Sequence, residues 1–526
     1  MTDTFTIILY LCNWGPHTAF HTLQDQAADI PDEIKAVRVP CAGRINRALL
    51  LKAFELGADG VVLAGCRPGA CRYGSGTETS ERNITDTREI LGLLGLGRER
   101  LRFETFLPDE HDRLLAFLRT FTAEMRSLGK TPVSPRPPEA GTGEPLTELV
   151  RRHDVFACQD CGKCTSACPL SLTGKEFSPR SLASSAIAGD TGSPAVKDAI
   201  AACLTCGICD ERCPSAVRFS QFVRDLRIFL ENRGENGPTQ AHAGFFQTLQ
   251  RTLASPRLVP RRWEWLPPDI AVDQKSTILY WGGCAMFFDF FFRHFLKVQT
   301  QNILADSLRL LNFFDIRPAL LPDERCCGHD LLWSGDRKSF LRLARLNAEA
   351  FRARGISQVV TSCPECYWTL KRDYPAFGIE TGVQVTHLYE LLDQEIGKGK
   401  IVFKKLGRTI TFQDSCRLSR FEGRPDLPRR LIARLRQDGF VEMPDHGRAA
   451  ICCGNSAWTG CDAYSKALQV RRLEQARETG SDLLVTSCPK CQIHLKCAME
   501  DPFREDAIKM DLMDLTGVLA RTIGWE

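Results

Sequence analysis

Two short runs of this sequence constrain its fold most, because each packs four cysteines into a few positions. The runs are CQDCGKCTSACP and CLTCGICDERCP, and both have the spacing C-x2-C-x2-C-x3-C-P. In this spacing three thiolates hold one [4Fe–4S] cubane, and the fourth, just before the proline, ligates the other cubane. Two zinc ribbons would need only Cys-x-x-Cys pairs and would leave the remaining thiols idle. The spacing predicts two cubanes with ligands exchanged between the runs, one held by Cys158, Cys161, Cys164 and Cys213, and the other by Cys203, Cys206, Cys209 and Cys168.

Length, charge and cysteine content narrow the class of protein. The chain has 526 residues, a net charge of +4 and 24 cysteines. Balanced charge without a polybasic block argues against nucleic acid or an anionic membrane as a partner. The first apolar stretch predicts a strand rather than a signal peptide, and the most apolar later stretch is too short to span a bilayer. Clustered cysteines in such a chain indicate metal or redox work in a reducing, cytoplasmic compartment.

The first block, residues 1–130, alternates strand and helix patterns. Strands are predicted at FTIILYL, KAVRVP, GVVLAG and RLRFETF, and a helix at INRALLLKAFELGA. This alternation predicts an α/β fold with a mainly parallel sheet. Ligands bind at the carboxyl edge of such sheets, and four thiolates there suit either zinc or a [2Fe–2S] cluster. The cysteines expected to meet at this edge are Cys12, Cys41, Cys66 and Cys71.

The last block is an internal duplication. Each copy contains the same three motifs. The first is a strand that ends on one cysteine, TILYWGGC or TITFQDSC, and the second begins with a cysteine pair, CCGHDLLWSGD or CCGNSAWTGCD. The third carries a Cys-x-x-Cys, SCPEC or SCPKC. Five thiols exceed the four of a mononuclear zinc site and suit a polynuclear iron–sulfur centre with an iron open to substrate sulfur. The ligand sets are Cys284, Cys326, Cys327, Cys363 and Cys366 in the first repeat, and Cys416, Cys452, Cys453, Cys488 and Cys491 in the second.

These motifs resemble three known families. The duplicated block resembles the B subunit of heterodisulfide reductase, whose two CCG domains each hold a noncubane [4Fe–4S] cluster, and the block with the two cysteine runs resembles its C subunit. The first block resembles the delta subunit of methyl-viologen-reducing hydrogenase, a [2Fe–2S] carrier, through CNW at Cys12, C-x-G-R at Cys41 and GC-x-PG-x-C-x-Y from Gly65. One departure is Gly15, where some relatives of the delta subunit carry another cysteine.

The resemblance implies a multidomain fold. It comprises an α/β [2Fe–2S] domain at 1–130, a mainly helical two-cluster ferredoxin domain at 146–253, and α/β CCG repeats at 275–398 and 405–526. It also implies one [2Fe–2S] cluster held by the four cysteines of the first block, two cubanes and two noncubane clusters. The implied partners are an A-subunit-like FAD flavoprotein that bifurcates electron pairs, and a hydrogenase, a formate dehydrogenase or another oxidoreductase.

A few remaining residues are expected to be structural. Cys461 and Cys497 lie outside every ligand set and are interpreted as ordinary thiols. His329 and His387 have no partner motif, and the aromatic stretch Phe287–Phe295 is expected in the core rather than on a docking surface. Neither a P-loop nor a GxGxxG motif after a strand is found, so electrons must enter and leave through other proteins.

Two hypotheses of function follow. In the first, the chain is the electron-transfer and terminal reductase subunit of a heterodisulfide-reductase-like complex, and a disulfide or similar acceptor is reduced at the paired noncubane sites without a free catalytic side chain. In the second, it is a relay that connects a flavoprotein to another reductase, such as an aromatic-ring, acyl-CoA or quinone reductase. The presence of two complete five-cysteine sets favours the first hypothesis.

Overall fold

The computed structural model describes residues 5–135, 144–235, 237–399, 401–435, 439–503 and 508–525. By their internal contacts the residues separate into two units, one of residues 1–138 and 242–262 and the other of residues 139–241 and 263–526.

The first unit is built on a four-stranded parallel sheet in the order β2-β1-β3-β4. The third strand, GVVLAG, is buried along its whole length because helices cover both faces of a parallel sheet. This confirms the α/β prediction for the first block. The strands are β1 (Ile7–Cys12), β2 (Ile34–Val39), β3 (Gly60–Gly65) and β4 (Leu101–Thr105), and the helices are α1 (Pro16–Asp25), α2 (Arg47–Glu55), α3 (Gly76–Leu93) and α4 (His111–Leu128).

The region with the two cysteine runs is helical. Its longest helix, α11, carries the fully buried Arg227, whose guanidinium donates to the carbonyls of Ile200 and Cys203 at 3.0 and 2.6 Å. This side chain fixes the backbone that leads into the second run. The helices are α5 (Leu146–Arg152), α6 (Lys163–Ser166), α7 (Pro169–Leu172), α8 (Pro179–Ile187), α9 (Pro194–Ala202), α10 (Ile208–Arg212) and α11 (Phe219–Asn232).

The chain then returns to the first unit. Helix α12 (Phe245–Leu253) packs against α2, and Arg251 Nε lies 2.6 Å from Glu55 Oε1. Residues 242–262 therefore belong to the first unit, although in the chain they follow the helical region.

The first repeat contains a three-stranded parallel sheet in the order β5-β6-β7. Strand β5 leads to Cys284 and β6 leads to the Cys-x-x-Cys, as the repeated motifs predict. The strands are β5 (Ile278–Tyr280), β6 (Gln358–Thr361) and β7 (Gln384–His387), and the helices are α13 (Ala285–Phe292), α14 (Thr300–Phe313), α15 (His329–Ser334), α16 (Arg337–Ala353), α17 (Pro364–Trp368), α18 (Tyr374–Ala376) and α19 (Leu388–Lys398).

The second repeat has the same arrangement, with one further edge strand. Its parallel sheet has the order β10-β9-β11-β12, and an antiparallel pair joins β8 to β13. The chain is thus a multidomain protein with an α/β first block, a helical ferredoxin-like region and duplicated α/β repeats. The strands are β8 (Ile401–Phe403), β9 (Thr409–Gln413), β10 (Gly439–Phe440), β11 (Leu483–Thr486), β12 (Asp511–Asp514) and β13 (Ile523–Trp525), and the helices are α20 (Asp426–Ile432), α21 (Ala463–Glu478), α22 (Pro489–Met499) and α23 (Leu515–Thr522).

The duplication extends beyond the cysteine motifs to a strand and helix that close each repeat. Strand β7 ends at His387, whose side chain accepts from the backbone N–H of Tyr389 and caps α19. Strand β12 ends at Asp514, whose side chain accepts from Thr516 and caps α23 in the same way. His387 is therefore a helix cap, which is a structural role.

The aromatic stretch Phe287–Phe295 forms most of helix α13 and lies largely in the core. Phe287, Phe288 and Phe292 are at most 3% exposed, and Phe288 and Phe292 pack on the ring of Trp458 in the second repeat. Within this stretch Phe295 is exposed. The helix thus packs the two repeats together, in line with the expectation of a core position.

Candidate metal centres

The four cysteines of the first unit meet at one edge of its sheet. Cys12, Cys41 and Cys66 follow the carboxyl ends of β1, β2 and β3, and the parallel register brings those ends together. Cys12 Sγ lies 3.4 Å from Cys66 Sγ, and Cys41 Sγ lies 3.9 Å from Cys71 Sγ. Burial, together with the three neighbouring thiols, raises the pKa of the Cys66 thiol to about 12. Cys66 therefore keeps its proton until a bound metal displaces it.

Gly76 makes room for two of these thiols. A methyl group at this position would lie 2.6 Å from Cys71 Sγ and 2.7 Å from Cys41 Sγ, closer than van der Waals contact permits. The donor set of four convergent thiols fits a thiolate-ligated [2Fe–2S] cluster or a zinc ion.

The second cysteine run gathers its first three thiols with the last thiol of the first run. Neighbouring thiols of this set raise the pKa of Cys168, Cys203 and Cys209, and all four thiols, with Cys206, line one small cavity. Burial raises the pKa of Cys168 to about 11 and that of Cys203 to about 12. The crosswise set predicted from the spacing is thus brought together, and its thiols fit a cubane.

The other predicted cubane set lies nearer the surface. Cys161 is exposed, and Cys158, Cys164 and Cys213 are half-buried. Cys158 lies near Cys164, and the pKa of Cys164 is raised mainly by burial. Helix α6 carries Cys164 and packs against α10, which ends directly before Cys213.

All five cysteines of the first repeat converge on one small cavity. Cys284 Sγ lies 2.7 Å from Cys326 Sγ, and Cys366 lies near both Cys327 and Cys363. Gly283 has a φ of +63°, and a methyl group there would lie 2.7 Å from Cys366 Sγ. Glycine is therefore required before Cys284, both for the backbone conformation and for the space beside the thiol.

The second repeat gathers its cysteines in a similar way. Cys453 lies near Cys452 and Cys491, which lower its pKa, and Cys491 also lies near Cys488. Cys416 is half-buried and lies near Cys453. The donor sets of both repeats, with five thiols each and two of them sequence neighbours, fit a polynuclear iron–sulfur cluster better than a single metal ion.

His494 is a residue that the sequence reasoning missed. Its Nδ1 lies 3.2 Å from Cys453 Sγ, and burial lowers the pKa of the imidazole to about 3. A neutral His494 presents Nδ1 to this thiol, either as an N–H donor or as an acceptor according to its tautomer. The first repeat has Thr369 in the equivalent place, so the motif alignment carried no signal for this histidine.

Thiols of different sets approach one another in the second unit. Cys206 of the helical region lies near enough to Cys452 of the second repeat for each thiol to shift the pKa of the other. Cys488 of the second repeat lies near Cys363 and Glu365 of the first. The second repeat thus contacts both the helical region and the first repeat.

Two buried arginines hold this arrangement. Arg417 donates to the carbonyl of Thr205 at 2.7 Å, and Arg420 donates to the carbonyl of Cys206 at 2.7 Å. Both side chains belong to the second repeat, and both are at most 5% exposed. They fix the backbone of the second cysteine run against the second repeat through charge-assisted hydrogen bonds.

A buried ion cluster connects the two repeats. Lys490 Nζ lies 2.6 Å from Glu365 Oε2 and also contacts the carboxylate of Asp330. His329 Nδ1 lies 3.0 Å from Asp330 Oδ1, and Arg417 Nε lies 3.1 Å from His329 Nε2. The ligand atoms of His329, Asp330 and Glu365 lie within 4.8 Å of one another, as in a metal site. The ammonium of Lys490, however, already bonds both carboxylates, so the group is satisfied as an ion cluster.

Glu365 and Lys490 occupy the same position in the two copies of the Cys-Pro-x-Cys motif, SCPEC and SCPKC. The opposite charges at this matched position were the available signal for a contact between the repeats, and the sequence reasoning did not use it. Burial opposes the charge of Lys490, but Asp330 and Glu365 outweigh it and raise the pKa of the ammonium well above its usual value.

The two remaining cysteines lie near each other in the second repeat. Cys461 is exposed, and Cys497 is half-buried with its Sγ 3.2 Å from the ammonium of Lys466. Their assignment as ordinary thiols stays a prediction.

Three protein-family models match this chain. The model of the methyl-viologen-reducing hydrogenase delta subunit matches residues 7–129, that of a 4Fe-4S dicluster domain matches 154–217, and that of the cysteine-rich CCG domain matches 278–371 and 410–496. These matches cover the first block, the two cysteine runs and both repeats. They bear out the three resemblances found in the motifs.

Curated relatives match about half of the chain. The D subunit of dihydromethanophenazine:CoB–CoM heterodisulfide reductase is 30% identical over 262 residues in Methanosarcina barkeri and over 293 residues in Methanosarcina acetivorans, that is, 48% and 53% of this chain. The chain spans 61% of the first relative, which is less than two thirds, and 68% of the second. The EtfAB:quinone oxidoreductase of Syntrophomonas wolfei is 27% identical over 256 residues, 47% of this chain and 34% of that protein. None of the helices in the described residues combines the length and the apolar character needed to span a bilayer.

Proposed function

Because this chain belongs to the family of heterodisulfide reductase D subunits, which are oxidoreductase subunits, we propose that it is the electron-transfer and terminal reductase subunit of a heterodisulfide-reductase-like complex. Its acceptor is a disulfide or a similar two-electron acceptor. The complex is flavin-based and electron-bifurcating, with an A-subunit-like FAD flavoprotein and a hydrogenase, a formate dehydrogenase or another oxidoreductase as partners. A cytoplasmic location is part of the proposal, because reduced thiols in this number suit a reducing compartment.

The proposal assigns each thiol set one group. The four thiols of the first unit hold a [2Fe–2S] cluster, the two crosswise sets hold [4Fe–4S] cubanes, and each five-thiol set holds a noncubane [4Fe–4S] cluster. When bound, these clusters supply one-electron chemistry and, at the repeats, iron that substrate sulfur can reach. The 22 proposed ligands are the cysteines named above for the first block, the two runs and the two repeats, all of the 24 except Cys461 and Cys497.

The approach of Cys206 to Cys452 is the observation that best supports the proposal. It brings a ferredoxin-like thiol set close to that of the second repeat, as a path for electrons between them requires. Arg417 and Arg420 hold the two backbones at this contact. The packing at this contact keeps water from Cys203 and Cys416, and this burial raises the pKa of both thiols because it disfavours the thiolate.

Residues of both repeats surround the space in which we place the acceptor. Phe288, Pro489 and Lys490 line the cavity together with the cysteines of the first repeat. The ion cluster of Lys490, Asp330 and Glu365 fixes the second repeat against the first there. Both repeats are required in this proposal, because Pro489 and Lys490 of the second repeat complete the lining and Cys488 brings the second thiol set near Cys363 of the first.

The similarity to the EtfAB:quinone oxidoreductase supports a second candidate function. In that case the chain would be a relay that connects a flavoprotein to a quinone or to another reductase, without disulfide chemistry of its own.

Turnover with artificial disulfides separates the two functions. The fully loaded complex, purified without oxygen, is given reduced viologen and a small aromatic disulfide, and viologen oxidation and thiol release are both measured. The first proposal expects about two viologens oxidised per disulfide cleaved, since the reduction takes two electrons. Cys363→Ser should abolish thiol release, whereas Cys461→Ser, outside every set, should not.

An intact complex with its full iron content that oxidises viologen with a quinone but leaves disulfides untouched would contradict the first proposal and favour the relay.

A further inference from the structure

The loops around the thiol site of the first unit present a surface of aromatic and basic side chains. We name this surface the rim and define it as Trp14, Arg38, Arg44, Arg72 and Tyr73. All five side chains are exposed, with Trp14 at 36% and Tyr73 at 60%. The rim surrounds Cys12, Cys41 and Cys71 at the carboxyl edge of the sheet, so it is the face through which another protein would approach this thiol site.

The rim has a net positive charge. The segments that carry its cysteines, residues 12–16, 38–46 and 66–75, contain four arginines and no Asp or Glu. One of the four, Arg67, pairs with Glu110 of the next loop. The other three are the arginines of the rim.

Contacts between the loops hold the rim together. The guanidinium of Arg72 lies 3.9 Å over the ring of Trp14, and Arg38 Nε donates to Asn13 Oδ1 at 2.6 Å. Cation–π stacking orders an otherwise mobile arginine, and so reduces the entropy lost when that arginine enters an interface.

We propose that the rim is a docking surface for an acidic protein that exchanges electrons with the adjacent thiol site. This inference rests on the proposed function, because it takes the first unit to be a point of electron exchange. Exposed Trp, Tyr and Arg side chains are the residue types that carry most binding energy in protein interfaces. Charge complementarity then steers encounter and raises the association rate by about 10 to 1,000-fold at low salt. An electron-transfer contact of this kind is small and short-lived.

Binding of an acidic protein tests the inference. The probe is an acidic plant-type ferredoxin, and its binding to the loaded full-length chain is measured without oxygen at rising salt. We expect the double variant Arg38→Glu, Arg72→Glu to weaken binding at low salt by at least about 10-fold. The neutral variant Arg38→Gln, Arg72→Gln should give a smaller loss. The matched control is Arg119→Glu, Arg126→Glu on helix α4, which changes the charge of the same unit by the same amount and should leave binding within about twofold.

Chemical reduction with dithionite, followed by electron paramagnetic resonance, shows whether each variant keeps its clusters. Equal binding by the rim variant and the wild type, equal losses in the rim and control variants, or binding that does not respond to salt would each overturn the inference. If the wild type shows no [2Fe–2S] signal but rim-dependent binding persists, the proposed cluster assignment fails and the docking surface stands.

Discussion

Replacement of Lys490 with methionine removes the ammonium that joins Asp330 to Glu365 at the contact between the repeats. The three side chains are 8%, 3% and 11% exposed, so the two carboxylates would lose their counterion in a site that water barely reaches. Methionine has a similar volume and leaves the packing nearly unchanged. The loss is therefore electrostatic.

The expected cost follows from this burial. Removal of one partner from a buried ion pair costs about 3–5 kcal/mol, because the remaining charge is left uncompensated. His329, which accepts from Arg417, stays beside Asp330 and offsets part of the loss, which favours the lower end of this range. The double variant Lys490→Met, Glu365→Gln removes one of the two stranded charges, and should recover about 0.5–3 kcal/mol through the coupling of neighbouring sites.

Equilibrium urea unfolding without oxygen provides the measurement, tracked by the visible absorbance of the loaded chain and by far-ultraviolet circular dichroism. The control is Lys398→Met, whose surface pair with Glu395 leaves the lysine 68% exposed and should contribute less than about 1 kcal/mol. If Lys490→Met unfolds within about 1 kcal/mol of the wild type, or if the double variant is less stable than the single one, the ion cluster does not hold the repeats together.

Three further predictions follow from the structure. Gly76→Ala should displace two thiols of the first unit, so iron analysis should show the loss of about two irons while the cubane signals persist; unchanged iron content would refute the steric argument. Burial lowers the pKa of His387 to about 3 in the folded protein, whereas a histidine in the unfolded chain titrates near about 6.5. The free energy of unfolding should therefore fall as the pH drops from about 6.5 towards 3, by up to about 1.4 kcal/mol per pH unit. His387→Asn keeps a side chain that can cap the helix but removes the titrating imidazole, so the part of the pH dependence that is due to His387 should disappear from the free energy of unfolding. If the free energy of unfolding of this variant depends on pH as that of the wild type does, His387 is not its source. The double variant Cys461→Ser, Cys497→Ser should keep the iron content of the wild type, and a loss of iron would show that one of these thiols is a ligand.

Local patterns were sufficient to predict much of this fold. The run GVVLAG is apolar throughout, and it forms a strand buried on both faces, as such runs do in parallel sheets. The C-x2-C-x2-C-x3-C-P spacing predicted that Cys168 would join the thiols of the other run, because in this motif the fourth cysteine ligates the second cluster. In the structure Cys168 lies near Cys206 of that run.

Contacts between distant segments could not be predicted in this way. The approach of Cys206 to Cys452 and the packing of α12 against α2 within the first unit depend on tertiary arrangement, which hydrophobic periodicity does not encode. The Lys490–Glu365 pair is an intermediate case, since the charges at matched motif positions were visible but their contact was not.

The same pair has a consequence for how the halves of the duplication recognise each other. Two copies of the first repeat, placed face to face in this geometry, would set Glu365 against a second glutamate, and two copies of the second would set Lys490 against a second lysine. Like charges confined away from solvent repel strongly, so either symmetric assembly is penalised while the mixed one is favoured. Each repeat thus disfavours pairing with a second copy of itself. The difference in charge at this one position favours the tandem chain over a homodimer of single repeats.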